Sequence, residues 1–291
     1  MSRKKQTNND SSITIFNRAG VLRVLERIKL RLLDFKAISP VIIYQMGKVG
    51  STSVYNMVQT SNLKNPVFHI HYLSPEGIKN AEKFFRNLQS KKIPHHLKLS
   101  KIIRRKIERT TSSQIKIITL VRDPIIRDIS DLFQNLASHH SELLDKNAKV
   151  ENIDIYAFLN EHFIHYDQTT NYTCTWFDNE FKNAFGIDIF THPFNHQDRF
   201  CIIAYKNIDL LILRLEDLDS SFNKAVNQFL SKNLSFKKYY SNVGKNKKYA
   251  EIYSDILKNF ALPRDLCEKI YSSKYARHFY SKDERLSFIQ R

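Results

Sequence analysis

Residues 41–55, VIIYQMGKVGSTSVY, combine residue types that can bind an anion. Gly47 and Gly50 allow a sharp backbone turn, and the hydroxyl residues from Ser51 to Ser53 can cap a helix that follows. A helix N-terminus presents unpaired N–H groups and a partial positive charge, to which Lys48 would add a full charge. The segment therefore predicts a phosphate-binding turn between a strand and a helix. A turn whose glycines serve backbone geometry alone is the alternative.

The order of lysine and glycine argues against an ordinary ATP or GTP site. The Walker A pattern GxxxxGK[ST] has its lysine directly after the second glycine, whereas Lys48 precedes Gly50 by two residues. A P-loop kinase or nucleotide hydrolase remains the enzymatic alternative. It would also need an aspartate after a strand to bind magnesium, and Asp123 is a poor candidate for that role.

Two histidines, His69 and His71, lie near the end of a predicted strand at residues 67–73, VFHIHYL. Alternation along a strand puts both imidazoles on one face, and open α/β sheets bind ligands beyond the carboxyl ends of their strands. A neutral imidazole near a hydroxyl can act as a general base. A metal site would need a third ligand, which the sequence does not identify. Structural histidines are the alternative.

A second candidate phosphate site follows the predicted strand Ile115–Val121. Arg122 at the end of this strand can bind a phosphate through two parallel hydrogen bonds. Pro124 suits the first turn of a helix, and Ser130 lies about two helical turns further on, within reach of the same anion. A structural ion pair between Arg122 and Asp123 is the alternative.

These motifs require a fold that brings strand ends together. The pattern predicts an α/β fold with three layers, in which a central parallel sheet in the P-loop style has helices on both faces. At 291 residues the chain can form one large domain. We expect residues 1–39 to form a basic tail and an amphipathic helix, and residues 40–291 to form the catalytic domain. The predicted strands start near Val41, Val67, Ile115, Phe200 and Leu210.

Composition limits the partners. A formal charge of +17 and a pI of about 9.7 indicate an anionic partner such as a phosphorylated cofactor, an acidic glycan, nucleic acid or a lipid surface. The basic residues 98–109 contain no aromatic side chain, which disfavours nucleic acid. Three widely spaced cysteines argue against a disulfide framework and a structural zinc site.

The segment from Val21 to Leu33 predicts a basic amphipathic helix. A helix packed on the flank of the domain is the commoner explanation, and peripheral contact with an anionic membrane is the alternative. The sequence has no uninterrupted apolar span of about 18 residues, so no transmembrane segment is expected. We expect a cytoplasmic protein that can lie at the inner face of a membrane.

Taken together, the two phosphate motifs resemble the sulfotransferases that use 3′-phosphoadenosine-5′-phosphosulfate (PAPS). In that family a loop of the type KxGSTS binds the 5′-phosphosulfate and resembles residues 48–53, while the signature [LV]-R-D-P-x-x-R-x-x-S resembles residues 121–130. The resemblance implies in-line transfer of a sulfuryl group from PAPS to a hydroxyl, with a polysaccharide or another glycan as acceptor and no metal. The PAPS-binding residues that it implies are Gly47, Lys48, Val49, Gly50, Ser51, Thr52, Ser53, Arg122 and Ser130.

The resemblance also implies catalytic roles. Lys48 would stabilise the leaving phosphate, and His69 or His71 would act as base, because their spacing is similar to the HxH of uronyl and heparan 2-O-sulfotransferases. Other branches use a glutamate, which makes Asp178 and Glu180 alternative bases. Solvation of a helix face or a pair with Lys182 is the structural alternative for these two acids.

Further stretches extend the resemblance into the second half of the chain. Residues 211–218 resemble a late strand and helix of many sulfotransferases, and residues 176–189 and 275–280 resemble a bacterial group described as sulfotransferase-like or capsular polysaccharide synthesis proteins. Cytosolic sulfotransferases have a late loop with the sequence RKG that helps to bind the 3′-phosphate. In this chain its only counterpart is the weakly similar segment 242–248, NVGKNKK. A basic glycan-binding protein that kept the fold and lost the chemistry is the non-enzymatic alternative.

Overall fold

The computed structural model describes residues 10–87, 92–110, 114–139, 152–237 and 249–290. Within these ranges one five-stranded sheet forms the centre of the fold, with the strand order β2-β1-β3-β5-β4. Its strands are short, largely apolar runs, and β1, β3 and β5 are buried along nearly their whole length, as expected for strands that are covered by helices. They are β1 (Val41–Tyr44), β2 (Val67–Ile70), β3 (Ile115–Val121), β4 (Phe200–Tyr205) and β5 (Ile208–Arg214).

The predicted α/β class and the five strand positions are confirmed, but the sheet is mixed. β2, β1, β3 and β5 run parallel, whereas β4 runs antiparallel to β5. The prediction of a wholly parallel sheet is therefore wrong at β4. Lys206 and Asn207 alone join β4 to β5, and a connection of two residues permits a hairpin but no crossover, which needs a dozen residues or more.

Helices flank the sheet. The first part of the chain contributes α1 (Asp10–Leu32), α2 (Ser51–Gln59), α3 (Pro75–Asn87), α4 (His95–Glu108) and α5 (Pro124–His139). The second part contributes α6 (Asn152–Ile164), α7 (Tyr172–Phe177), a π-helical turn (Asp178–Lys182), α8 (Asn183–Phe185), α9 (Leu218–Leu230), α10 (Ala250–Asn259), α11 (Arg264–Tyr271), α12 (Lys274–Phe279) and α13 (Lys282–Ile289).

An aromatic layer from the second part of the chain packs on β1. The ring centroid of Tyr44 lies 4.9 Å from that of Phe181 and 5.3 Å from that of Trp176. All three side chains are fully buried or nearly so. Since Tyr44 is the last residue of β1, this contact fixes the point at which the loop of residues 45–50 leaves the sheet.

The first helix differs from its prediction in the face that it buries. α1 packs against α4, with Leu30 buried. Most of its apolar residues, including Val21, Leu25 and Leu32, instead face solvent. Of the helices that the structure describes, none combines the length and apolar character needed to cross a membrane.

Candidate functional site

The candidate site lies at the edge of the sheet that is formed by the carboxyl ends of its parallel strands. The connections after β1 and β3 run from there in opposite directions. The carboxyl ends of β2, β1, β3 and β5 share this edge because these strands are parallel. After β1 the chain crosses to β2 on one side, and after β3 it continues toward β5 on the other side. Such a switch point leaves a crevice in which open α/β sheets bind ligands. The loops that carry Lys48 and Arg122 follow these two strands.

The loop after β1 contains two residues with left-handed backbone conformations. Gly50 adopts a left-handed conformation (φ 78°), and a Cβ added to it would lie 2.4 Å from Leu215 Cδ1, so this position requires glycine. Lys48 is also left-handed (φ 72°), a conformation that costs a residue with a side chain about 1 kcal/mol or more. Its Nζ donates a hydrogen bond to the side-chain oxygen of Gln134 in α5.

Helix α2 starts directly after this turn without a side-chain cap. Gly50 is its N-cap residue, and its first turn contains no acidic residue. Asn171, Ser273 and Ser281 cap α7, α12 and α13 through their side chains, whereas α4, α9, α10 and α11 lack a side-chain cap as α2 does. The N-terminus of α2 therefore keeps its partial positive charge available to an anion.

Arg122 connects the two predicted phosphate motifs. Its Nη1 donates to the backbone oxygen of Lys48 at 3.0 Å and to Ser130 Oγ at 2.8 Å. The Tyr275 hydroxyl fixes the Arg122 backbone, because it accepts from the Arg122 N–H at 3.1 Å and donates to the Arg122 carbonyl at 2.8 Å. No carboxylate of the described residues lies within ion-pair distance of this partly exposed guanidinium.

The alternative ion pair between Arg122 and Asp123 does not form. The Asp123 carboxylate instead accepts from the Ile126 N–H at 3.0 Å and from the Tyr271 hydroxyl at 2.7 Å. Burial raises the pKa of this carboxyl group. Asp123 therefore holds the start of α5 and makes no direct ion pair with Arg122, whose charge acts on it only at longer range.

Arg127 is a second, buried link between the motifs, and sequence reasoning assigned it no role. Its Nε donates to the Gly47 carbonyl at 3.1 Å, while its guanidinium pairs with Asp128 at 3.0 Å and with Asp131 at 3.3 Å. It also lies over the ring of Tyr172 at 4.7 Å. Because two carboxylates neutralise Arg127, it serves to hold the Gly47 loop.

Gln45, which the sequence analysis also missed, connects the loop to both histidines. Its side-chain N–H donates to His69 Nε2 at 2.9 Å, and its backbone carbonyl accepts from His71 Nδ1 at 2.9 Å. The two imidazole centroids are 4.9 Å apart. These contacts differ in their effect. The hydrogen bond from Gln45 occupies the lone pair on His69 Nε2. In His71 the proton is on Nδ1, so the lone pair is on Nε2.

Burial keeps the histidines neutral. It lowers the pKa of His69 to about 3, with a further contribution from His71 and His96, and it also lowers the pKa of His71. His96 is the third imidazole of this cluster, with its ring centroid 5.0 Å from that of His71. A neutral imidazole with an open Nε2 is suited to act as a general base. The described residues contain no group of three or more side chains arranged to hold a metal ion.

Glu180, the alternative base, is engaged in the fold. Its carboxylate accepts from the N–H groups of Leu73 and Ser74 at 2.8 Å and 2.9 Å and from the Tyr44 hydroxyl. Only 3% of the residue is exposed, and burial raises its pKa. The other alternative base, Asp178, forms an ion pair in which its Oδ1 lies 3.9 Å from Lys274 Nζ. The histidines are therefore better candidates for the base than these acids.

Residues 242–248, the weak counterpart of the RKG loop, lie outside the described residues.

A cavity of about 630 Å³ adjoins Arg122 on the side of β5. Its walls combine apolar side chains, including Ile126, Leu215 and Phe288, with carboxylates such as Glu216. Glu216 also accepts a hydrogen bond from the Asp123 N–H at 2.7 Å. Small-molecule sites are commonly clefts of this size.

Comparison with known proteins gives one match. Residues 147–281 match the NKWYS family model, described as "Putative capsular polysaccharide synthesis protein". The match suggests involvement in capsular polysaccharide synthesis and agrees with the resemblance noted for residues 176–189 and 275–280. Comparisons with curated proteins and with solved structures found no match. The resemblance to PAPS sulfotransferases stays a prediction.

The matched segment covers less than half of the chain and contains neither Lys48 nor Arg122. It supplies, however, the side chains that hold the loops of the candidate site. Glu180 binds the residues that follow β2, Tyr275 binds the Arg122 backbone, and the Tyr253 hydroxyl is hydrogen-bonded to Ser130. The two parts of the chain thus form the candidate site together.

Proposed function

We propose that this chain transfers a sulfuryl group from PAPS to a hydroxyl of a polysaccharide or another glycan. The observation that carries the proposal is the position of Arg122. Its side chain bonds the Lys48 carbonyl and the Ser130 hydroxyl, and no carboxylate of the described residues lies within ion-pair distance of it. This contact between the Lys48 loop and Arg122 supports a donor with phosphates at two positions of its ribose.

The residues fit such a donor in three respects. The uncapped N-terminus of α2, with Lys48 beside it, suits the 5′-phosphosulfate. Arg122 and Ser130 suit the 3′-phosphate, because guanidinium and hydroxyl groups both donate to phosphate oxygens. The neighbouring cavity of about 630 Å³ has room for a nucleoside, and its carboxylates can accept from ribose hydroxyls or an amino group.

Sulfuryl transfer, like phosphoryl transfer, needs alignment and charge stabilisation more than covalent help from the protein. When bound, the donor supplies the sulfuryl group and a phosphate that leaves. Lys48 would stabilise the negative charge that grows on the bridging oxygen as the sulfur–oxygen bond breaks. His71 Nε2 would take the proton of the acceptor hydroxyl while the new sulfur–oxygen bond forms. Gln45 would orient His71 through the bond to Nδ1.

The glycan acceptor is supported by the family match and by charge. The family description suggests a role in capsular polysaccharide synthesis, and the surplus of 17 positive charges favours an acidic polysaccharide. A hydroxyl of such a polymer is therefore the acceptor class that we propose.

Two measurements on the purified chain test the proposal. The first follows transfer of radiolabelled sulfate from PAPS to a panel of neutral and acidic capsular polysaccharides, and we expect label in at least one polymer. The second compares thermal stabilisation by adenosine 3′,5′-diphosphate, by ATP with magnesium and by a soluble polyanion. We expect selective stabilisation by the 3′,5′-diphosphate.

The outcomes separate the alternatives. Stabilisation by ATP with magnesium, without any by the 3′,5′-diphosphate, would indicate a kinase or nucleotide hydrolase. Stabilisation by the polyanion alone, with no labelled product, would indicate a glycan-binding protein without sulfotransferase chemistry. For a Lys48→Ala variant, Lys64→Ala is the matched control for the lost surface charge, because Lys64 is exposed and lies outside the candidate site.

A further inference from the structure

The outward side of α1 carries an apolar stripe. It consists of Val21, Val24, Leu25, Ile28 and Leu32, which are 44% to 80% exposed, and Leu22 borders it. The helical period puts these residues opposite the buried Leu30. Single exposed apolar residues are ordinary, but several on one face of one helix form a patch that indicates an interaction surface.

A basic groove runs beside this stripe. A cavity of about 240 Å³ between α1 and α4 is lined by Arg27, Arg31, Lys98, Lys101, Ile102 and Arg105. Lys101 pairs with Glu82. Arg31, Lys98 and Arg105 have no ion-pair partner among the described residues. The groove therefore carries uncompensated positive charge that can bind anions.

The groove and the stripe form one continuous surface. On the helical wheel Arg27 and Arg31 lie between the buried side of α1 and the apolar stripe. The position of α1 is fixed, because His95 Nε2 in α4 is hydrogen-bonded to Glu26 at 2.6 Å and Lys106 Nζ donates to the Leu33 carbonyl. A helix with an outward apolar stripe flanked by cations is typical of a helix that lies in a membrane interface.

We infer that this surface docks on an anionic phospholipid membrane. The apolar stripe enters the boundary between head groups and acyl chains, and the basic groove binds head-group phosphates. Charge complementarity selects this occupant over a second copy of the chain, because a copy would bring the same cations and a further 17 positive charges to the contact. This inference does not depend on the proposed sulfotransferase activity.

Sedimentation with lipid vesicles tests the inference on the full chain. We expect binding to vesicles of phosphatidylcholine with about one third phosphatidylglycerol, and little binding to pure phosphatidylcholine, since each basic side chain near an anionic surface contributes about 1 kcal/mol. The double variant Leu25→Ser/Ile28→Ser removes part of the stripe. The double variant Arg31→Glu/Lys98→Glu reverses two charges of the groove. We expect each variant to lower the partition coefficient about tenfold or more.

Matched controls lie on other faces of the molecule. Ile164→Ser changes an apolar residue that is 63% exposed, and Lys232→Glu/Lys258→Glu makes the same change in net charge at two exposed lysines. Both controls should bind vesicles as the unchanged chain does, and circular dichroism checks that every variant is folded.

Three results would overturn the inference. The first is absence of binding to anionic vesicles by the unchanged chain. The second is binding that the stripe variant leaves intact while a soluble acidic polysaccharide competes for it, which would assign the groove to a glycan. The third is a dimer in light scattering that Leu25→Ser/Ile28→Ser dissociates, without vesicle binding, which would assign the stripe to a second copy.

Discussion

Arg122 and Arg214 occupy the carboxyl ends of two neighbouring parallel strands, β3 and β5, yet their surroundings are opposite. Arg214 is 2% exposed and lies between two carboxylates, with its Nε bonded to Asp217 and its Nη2 2.7 Å from Glu284. Its Nη1 also donates to the Phe279 carbonyl at 3.1 Å. Arg122 is partly exposed, and its guanidinium donates to a hydroxyl and a carbonyl.

The difference distinguishes an arginine that holds the fold from one that we propose binds a ligand. A buried guanidinium requires compensating charge, because an unpaired buried charge costs several kcal/mol. An arginine that is fixed by neutral groups keeps its charge for an anion that arrives from solution. The same distinction applies to Arg127, which two aspartates neutralise.

The largest expected effect concerns Arg214. Arg214→Met should lower the free energy of unfolding by about 3–5 kcal/mol, because Asp217 and Glu284 lose their buried cation. Urea denaturation followed by circular dichroism measures the stability.

Arg264→Met is the matched control for this variant, since Arg264 also pairs with a glutamate but 83% of its side chain is exposed. It should change the free energy of unfolding by less than about 0.5 kcal/mol. Equal destabilisation by the two variants would contradict the structural role of Arg214.

Lys48, like Arg122, is a residue that we propose binds the donor. Lys48→Ala should lower the turnover number for sulfate transfer by about 10²–10³, the usual cost of removing one group that stabilises charge in the transition state. Stability should stay nearly constant, because alanine and lysine meet the same strain at the left-handed position. Near-normal transfer by the variant would remove the role proposed for Lys48, and Lys64→Ala serves as the control.

Arg122→Met tests the 3′-phosphate directly. It should weaken binding of adenosine 3′,5′-diphosphate by about 1.5–3 kcal/mol, the range for a hydrogen bond to a charged group. Adenosine 5′-monophosphate lacks the 3′-phosphate, so its affinity should fall much less. Calorimetry with both nucleotides gives the comparison, and equal losses would mean that Arg122 does not distinguish the 3′ position.

Sequence patterns predicted the strands well because each strand is a short apolar run bounded by polar residues or proline. Ile115–Val121 was predicted with its observed limits. The direction of β4 was missed, although the two-residue connection Lys206-Asn207 contains the signal. The exposure of the apolar stripe on α1 was left open between flank packing and membrane contact, because an amphipathic pattern identifies two faces but does not say which face has a partner.

The candidate site was predictable in its motifs and unpredictable in its connections. Local patterns identified the loop at Lys48, the histidine pair and Arg122, because each depends on residues close in sequence. The contacts of Gln45 with both histidines and of Tyr275 with the Arg122 backbone join residues 24 or more positions apart. Such pairs follow from tertiary packing, which a single sequence does not encode in any local pattern.

The two histidines differ in the same way as the two arginines. His69 Nε2 accepts a hydrogen bond from Gln45, whereas Nε2 of His71 keeps its lone pair. His71→Asn should therefore abolish most sulfate transfer, and His69→Asn should retain more. The pH profile sharpens the assignment, because a base is active when it is unprotonated and burial lowers the pKa of His71. A histidine with the ordinary pKa of about 6.5 would be only about one tenth neutral at pH 5.5.

For the unchanged chain, we accordingly expect kcat/KM to fall less between pH 7 and pH 5.5 than it would for a base with the ordinary histidine pKa, since this parameter reports the ionisation of the free enzyme. His69→Asn should keep the same acid limb, because burial and not His69 lowers the pKa of His71. A tenfold fall by pH 5.5 in the unchanged chain would point to a solvent-exposed base. An acid limb that moves with the His69 substitution would instead identify His69 as the group that titrates.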